Sequence, residues 1–160
     1  MSEQAMFKAF YERNIDLVYA VAMSYLHNAA DAEDAAADVF AQVLEQNISF
    51  ENQQHERAWL VTAVKNRCKN RLTHWSNKRR DDEIPEQPTS DNAVVELRET
   101  MSAIGRLPDK YRLPLVLCAI QGYSVSETAN ILKINESTVT TRINRARTKL
   151  SHLLEGGVQT

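Results

Sequence analysis

The sequence predicts an all-α protein of two small helical domains, residues 1–80 and 93–160, joined by a flexible acidic linker at 81–92. Three observations carry this. Apolar residues recur at i, i+3, i+4 spacing through nearly every segment, which is the period of a helix with one buried face. The stretch "DDEIPEQPTSD" interrupts that period with two prolines and five acids and reads as extended chain. The length of 160 residues suits two small domains as well as one ordinary one.

In "FKAFYERNIDLVYAVAMSYL" the stripe is Phe7, Phe10, Ile15, Val18, Val21, Ala22 and Tyr25. In "DAEDAAADVFAQVLEQN" Asp31 can cap the start, Ala36, Val39, Phe40 and Val43 face inward, and Asp34, Asp38, Gln42 and Glu45 lie outside. "ISFENQQHE" breaks the period and reads as a loop. The period resumes in "RAWLVTAVKNRCKNRLTHW", with Leu60, Val61, Val64, Cys68, Leu72 and Trp75 inward and Thr62, Asn66, Asn70 and Thr73 on the opposite face. Lys65 and Lys69 flank that polar face, and Arg67 and Arg71 flank the inner stripe.

After the linker, "DNAVVELRETMSAIGRL" places Val94, Leu97, Met101 and Ile104 on one face. "PDKYRLPLVLCAIQGY" opens with Pro108 at a first turn and carries Pro114 inside, so a kink or late start is expected before Gly122 ends it. Ser124 and Glu127 then have the spacing of a capping box, starting a short helix with Val125, Thr128, Ala129 and Leu132 inward. Lys133, Ile134 and Asn135 form a turn that Asn135 closes as the cap of the last helix. There Val139, Ile143, Ala146 and Leu150 face inward, while Ser137, Thr140, Thr141, Asn144, Arg145 and Thr148 face out with Arg142 and Arg147 beside them.

Composition excludes several classes of function. Apolar residues make up 43% and charged ones 25%, the balance of a globular protein. No apolar run approaches the roughly 20 residues of a membrane span, and no signal sequence opens the chain, so a cytoplasmic protein without membrane insertion is expected. His27, His55, His74 and His152 have no partners at ligand spacing, and Cys68 and Cys118 sit in apolar helical patterns, so neither a metal, a cofactor nor a disulfide is expected. With no phosphate loop, nucleophile elbow or carboxylate pair, an enzyme is not expected.

The net charge of -2 hides a segregation. Residues 1–56 carry ten acids and two bases, 57–80 eight bases and no acid, 81–100 seven acids and one base, and 101–160 four acids and eight bases. Two basic surfaces on an acidic chain suggest two sites for a polyanion, with acidic surface left for a basic protein partner. In the last segment a short capped helix, a tight turn and a longer helix with hydroxyls, an amide and guanidiniums outside form a helix-turn-helix suited to a DNA major groove.

In "DAEDAAADVFAQVL", "RAWLVTAVKNRCKNRL" and "LPDKYRLPLVLCAIQGYSVSETANILKINESTVTTRINRARTKL", in that order, the chain resembles the extracytoplasmic-function (ECF) type of bacterial RNA polymerase sigma factor. The resemblance implies a sigma region 2-like bundle at 1–80 and a region 4-like helix-turn-helix domain at 93–160. It implies partners as well: core RNA polymerase, bound through Asp34, Asp38, Phe40 and Gln42, promoter DNA, and an anti-sigma factor. The minus-10 element would be melted and read by Phe50, Thr62, Lys65, Asn66, Lys69, Asn70 and Thr73, with Phe50 and Asn66 holding a flipped base. The minus-35 element would meet Lys133, Ser137, Thr138, Thr140, Thr141, Arg142 and Arg145. The family often has a basic residue where Thr140 stands and a glycine where Lys133 stands. The alternative is a helix-turn-helix regulator that acts on DNA without joining the polymerase.

Overall fold

The computed structural model describes residues 2–78 and 92–158, with side chains at 2–76 and 99–155. The linker expected at 81–92 therefore falls almost wholly outside the described residues. All regular structure among them is helical: α1 (Glu3–Leu26), α2 (Ala29–Glu45), α3 (Gln53–Lys78), α4 (Asn92–Gly105), α5 (Asp109–Leu115) with a π turn after it (Val116–Ile120), α6 (Val125–Leu132) and α7 (Glu136–Val158).

The first half is a three-helix unit. Its core is Phe10, Leu17, Val18 and Val21 from α1, Ala36, Val39, Phe40 and Val43 from α2, and Leu60, Val61, Val64 and Cys68 from α3. The expected inward stripes are there, with three differences. Asn28, not Asp31, caps α2 by accepting from the Asp31 amide at 3.0 Å, because only two residues separate the helices and Asn28 holds the extended backbone a cap needs. Asp31 sits instead in the first turn, where its charge meets the helix dipole. Helix α3 starts at Gln53, inside the expected loop, because the Asn52 side chain accepts from the His55 amide at 2.9 Å. Leu72, expected inward, is 37% exposed near the end of α3, beyond the reach of the bundle.

In the second half α5 does not break at Pro114. Proline has no amide to give the preceding turn, and the chain accommodates it by widening to a π register over Val116–Ile120, where the backbone recovers its bonds. Gly122 then turns at φ 76°. Helix α6 carries the full capping box: Ser124 Oγ accepts from the Glu127 amide at 3.0 Å, and Glu127 accepts from the Ser124 amide at 3.2 Å. Lys133 takes the left-handed conformation (φ 59°, ψ 46°) between α6 and α7. Val125 proves 36% exposed and Ile131 takes its place inside; on a helix of eight residues, the first turn lies beside the cap rather than over the core.

The two halves pack against each other. Ile104, Leu107, Leu113, Leu115, Val116 and Leu117 join the same buried cluster as the first three helices, and only Ala129, Val139 and Ile143 form a separate small core beneath α7. Gly105 lets α4 approach α1: a Cβ there would lie 2.0 Å from the His27 ring and 3.0 Å from the Ser24 carbonyl.

Candidate nucleic-acid and polymerase surfaces

The long axis of α3 carries the first surface. Thr62, Asn66, Asn70 and Thr73 fall at i, i+4, i+8 and i+11, all exposed, so one face presents hydroxyls and amides in a row. Thr73 Oγ1 donates to the Lys69 carbonyl at 3.0 Å, leaving its lone pairs outward. Lys65 is half-buried and Lys69 exposed. Phe50 does not stand free beside this row. It stacks on Phe10 (5.7 Å, 13°) and meets His55 and Trp59 at 5.5 and 5.6 Å, as the loop's anchor in an aromatic cluster. Trp59 precedes Asn66 by seven residues, about 10 Å of helix rise along α3.

The cluster around Phe50 rests on a polar fastening that the sequence pattern did not reveal. Glu56 is 4% exposed; it accepts from both fork nitrogens of Arg13 at 2.7 and 3.1 Å and from Asn14 Nδ2 at 2.8 Å, while Asn14 also donates to the Phe10 carbonyl. Hydrogen bonding to Glu56 holds the Arg13 guanidinium above its ordinary pKa despite some burial. Asn14 in the α1 stripe and Glu56 at the start of α3 break the apolar pattern on facing helices; that was the available signal.

The second surface is the outer side of α7. Ser137, Thr140, Thr141, Asn144, Arg145 and Arg147 are exposed, and Thr138 and Arg142 half-exposed. Thr140 and Thr148 donate back to the Glu136 and Asn144 carbonyls, so their hydroxyls can accept from a ligand. Between α5 and α7 lies an open notch of about 310 Å³, lined by Lys110 and Tyr111 from one side and Ser137, Thr141, Arg142 and Arg145 from the other. Lys133 is exposed at the turn between α6 and α7.

The acidic surface on α2 is divided. Asp34 is exposed, Gln42 half-exposed, and Asp38 pairs with Arg71 at 2.8 Å. Phe40 lies inside, 3% exposed under Phe10 and Tyr11, so it props this surface rather than presenting itself.

Several basic side chains of the first surface are held by acids of the same chain. Lys69 donates to Asp109 at the start of α5, and Tyr25 Oη donates to the other oxygen of that carboxylate at 2.6 Å. Burial pushes the Asp109 carboxyl up, but the bonds from Lys69 and Tyr25 outweigh it and hold the group below its ordinary pKa. Arg112, itself buried, lies 4.0 Å over the Tyr25 ring and donates to the Gly105 and Leu107 carbonyls. Arg57 pairs with Glu127 of α6 at 3.6 Å and covers the Tyr123 ring at 4.9 Å. The helix-turn-helix is thus packed through α6 on α3, with α7 turned outward. Among the described residues no cluster of His, Cys, Asp and Glu could hold a metal ion, and no helix is long and apolar enough to cross a membrane.

Residues 10–79 match the family Sigma-70 region 2, and residues 97–150 the family Sigma-70, region 4. The chain is 31% identical over 144 residues to the ECF RNA polymerase sigma factor EcfG of Rhodopseudomonas palustris, covering 84% of this chain and 77% of that one. It is 31% identical over 156 residues to SigM of Mycobacterium tuberculosis, covering 92% and 76%. Identity to SigW of Bacillus subtilis is 32% over 157 residues, covering 84% and 81%. Two solved structures are similar. CnrH, solved with the cytosolic domain of CnrY, superposes with a TM-score of 0.70 at 28% identity, over 97% of this chain and 91% of that one. The sigma factor RpoE of Bartonella quintana, solved with the anti-sigma factor NepR, gives 0.67 at 24% identity over 93% and 96%, a likeness of fold.

Proposed function

Because the chain belongs to the ECF type of RNA polymerase sigma factor, we propose that α3 melts and reads the minus-10 element of its promoters and α7 binds the minus-35 element. An alternative sigma factor directs promoter-specific transcription, binding core polymerase and promoter DNA together. Its contribution is recognition, and the chain does no chemistry of its own. It works in the cytoplasm, where the polymerase is. The observation that supports the assignment of elements is the pair of exposed polar faces, one of amides and hydroxyls on α3 and one of hydroxyls and guanidiniums on α7.

Each face suits its task. An unpaired base offers its hydrogen-bonding edge, and Asn66 and Asn70 can both donate and accept to it, with Thr62 and Thr73 beside them. Lys65 and Lys69 offset phosphate charge along the same strand. Phe50, half-buried against Trp59, and Asn66 hold a flipped base between them, and the rest of the row from Thr62 to Thr73 carries the remaining base contacts. On α7, Arg142 and Arg145 can fork onto a guanine edge or clamp phosphates, while Ser137, Thr138, Thr140 and Thr141 reach either. Lys133, exposed at the turn, brings its ammonium to a phosphate. Core polymerase meets α2 through Asp34, Asp38 and Gln42, with Phe40 as support. An anti-sigma factor binds the same chain, as NepR binds RpoE of Bartonella quintana.

The test is reconstitution with sigma-free bacterial core polymerase on promoter-containing genomic fragments. Transcripts with common start sites are expected, and a protein that bound duplex DNA while ignoring the polymerase would defeat the reading. On a promoter found this way, Asn66→Ala should slow open-complex formation with polymerase binding intact. Unchanged melting would remove Asn66 from the minus-10 site.

A further inference from the structure

The open notch between α5 and α7 receives positive charge from both walls. Lys110 comes from α5, Arg142 and Arg145 come from α7, and the Ser137 and Thr141 hydroxyls lie between them. Lys149, one turn beyond Arg145, adds a fourth cation: its ammonium is 5.4 Å from the centroid of the Tyr111 ring, and that of Lys110 is 5.0 Å from the same centroid. Among the described residues none of these four has a carboxylate within ion-pair distance. The first half of the chain is different, since Arg13, Arg57, Lys69 and Arg71 are each paired with an acid. Even Asp109, next to Lys110 in sequence, is taken by Tyr25 and Lys69.

Like charges gathered around one notch repel each other, and a cleft walled by a single sign of charge concentrates its field on an anion that enters. Ammonium, guanidinium and hydroxyl groups together supply both the charge and the donors that a phosphate oxygen takes up. Arg142, Arg145 and Thr141 belong to the notch and to the outer face of α7 at once, so a duplex lying on that face brings its backbone to the notch. Resting on the minus-35 reading above, we propose that the notch seats a backbone phosphate of the duplex beside that element, and that Lys110 and Lys149 hold it. Neither lysine belongs to the row assigned to the minus-35 bases. Lys110 stands on α5, so the DNA footprint of this half extends beyond the helix-turn-helix. A phosphate contact carries no sequence information; it fixes the position at which α7 meets the groove.

The test uses full-length protein in holoenzyme with bacterial core polymerase, on a duplex carrying a promoter found by the reconstitution above. Lys110 is exposed, so Lys110→Gln leaves the core alone. It should flatten the slope of log affinity against log salt by about 0.9, removing about three- to fourfold of the affinity change between roughly 50 and 200 mM salt. Base preference in a pool of random-sequence duplexes should stay as in the wild type. Duplexes in which single phosphates are replaced in turn by uncharged methylphosphonates locate the seat: at one or two positions flanking the minus-35 element, replacement should weaken the wild type and weaken Lys110→Gln no further. If the double variant Arg142→Ala, Arg145→Ala binds more weakly while Lys110→Gln keeps the wild-type affinity and slope, the proposal is overturned and the minus-35 reading stands. A changed base preference in Lys110→Gln overturns it too, as does a loss that no single methylphosphonate reproduces. Should millimolar inorganic phosphate, at constant ionic strength, displace the duplex from the wild type but not from Lys110→Gln, the seat belongs to a free ion and the proposal fails. If the double arginine variant keeps full affinity, the minus-35 reading itself fails and takes the proposal with it.

Discussion

Asp109→Ala should weaken the seam between the two halves of the chain and raise the share of open molecules. Among the described residues Asp109 is the carboxylate that ties α1, α3 and α5 together, through Tyr25 and Lys69. A hydrogen bond from a buried phenol to a charged group contributes about 1.5–3 kcal/mol. The Lys69 side chain is 52% exposed and that of Asp109 31%, so their ion pair is screened and adds only about 0–1 kcal/mol. Together the loss is about 1.5–4 kcal/mol, which shifts the packed arrangement toward an open one by a factor of roughly 10 to 1000. Small-angle X-ray scattering reads this directly. A compact chain of 160 residues has a radius of gyration of about 15 Å, and separation of the halves raises it. Acid should act like the mutation. Because the folded pKa of Asp109 is depressed, its stabilisation is complete above the ordinary carboxylate value of about 3.9 and is lost as pH falls through the lower folded value. Tyr25→Phe should give a smaller expansion than Asp109→Ala. If the scattering of Asp109→Ala superposes on that of the wild type at neutral pH, the carboxylate does not hold the halves together and the reasoning is wrong.

Glu56→Ala leaves the buried Asn14 amide short of an acceptor, while Arg13, whose side chain is 43% exposed, turns to solvent; the loss is about 1–3 kcal/mol, so for a chain of this size the melting temperature should fall by roughly 2–12 °C, and a fall under 2 °C would deny Glu56 its fastening role. Gly105→Ala drives a Cβ into the His27 ring and should lower the urea midpoint by the equivalent of about 1–2 kcal/mol, with much of the loss recovered when His27→Ala makes room. Lys133→Gly relieves the left-handed backbone and should raise stability by about 0.5–1 kcal/mol in chemical unfolding, while weakening promoter binding through the lost charge. Cys68 is fully buried and its thiol is pushed up to about 12, chiefly by burial, so at pH 8 an aromatic disulfide reagent should titrate the half-buried Cys118 first and Cys68 only on unfolding.

Much of the architecture is legible because helices with one buried face advertise it: Val18, Val21 and Tyr25, Val39 and Val43, Val64 and Cys68, and Val139, Ile143 and Ala146 are all where their spacing puts them. The capping box of Ser124 and Glu127 is equally local, and so equally readable. What periodicity does not carry is information between helices. That Asn14 meets Glu56, or that Asp109 meets Tyr25 and Lys69, depends on residues 42, 84 and 40 positions apart in sequence. Pattern can mark a polar residue on an apolar stripe as odd, but cannot name its partner. Helix ends are poorly marked where two candidate caps stand close together, at Asn28 and Asp31, and where a cap lies inside a polar run, at Asn52. Of the site, the exposed rows on α3 and α7 follow from the stripes opposite them. The aromatic neighbours of Phe40 and Phe50 do not, because an aromatic ring beside other aromatics is claimed by whichever contact buries more of it.

The Asp109 carboxylate occupies Lys69, and on the minus-10 assignment proposed above it stands where a phosphate would come. Exchange of one anion for another changes the accounting of salt. A lysine that arrives at DNA from water sets a condensed counterion free and contributes about -0.9 to the slope of log affinity against log salt. One that arrives from a resident carboxylate leaves that carboxylate to gather a cation from solution, and its net contribution nears zero. Promoter affinity in this chain should therefore be flatter in salt than its number of phosphate contacts suggests, and Asp109→Ala should steepen it by about one unit of contact. The same exchange makes the intrinsic affinity visible only in proportion to the fraction of open molecules. Partners that favour the open form would raise promoter binding without touching DNA.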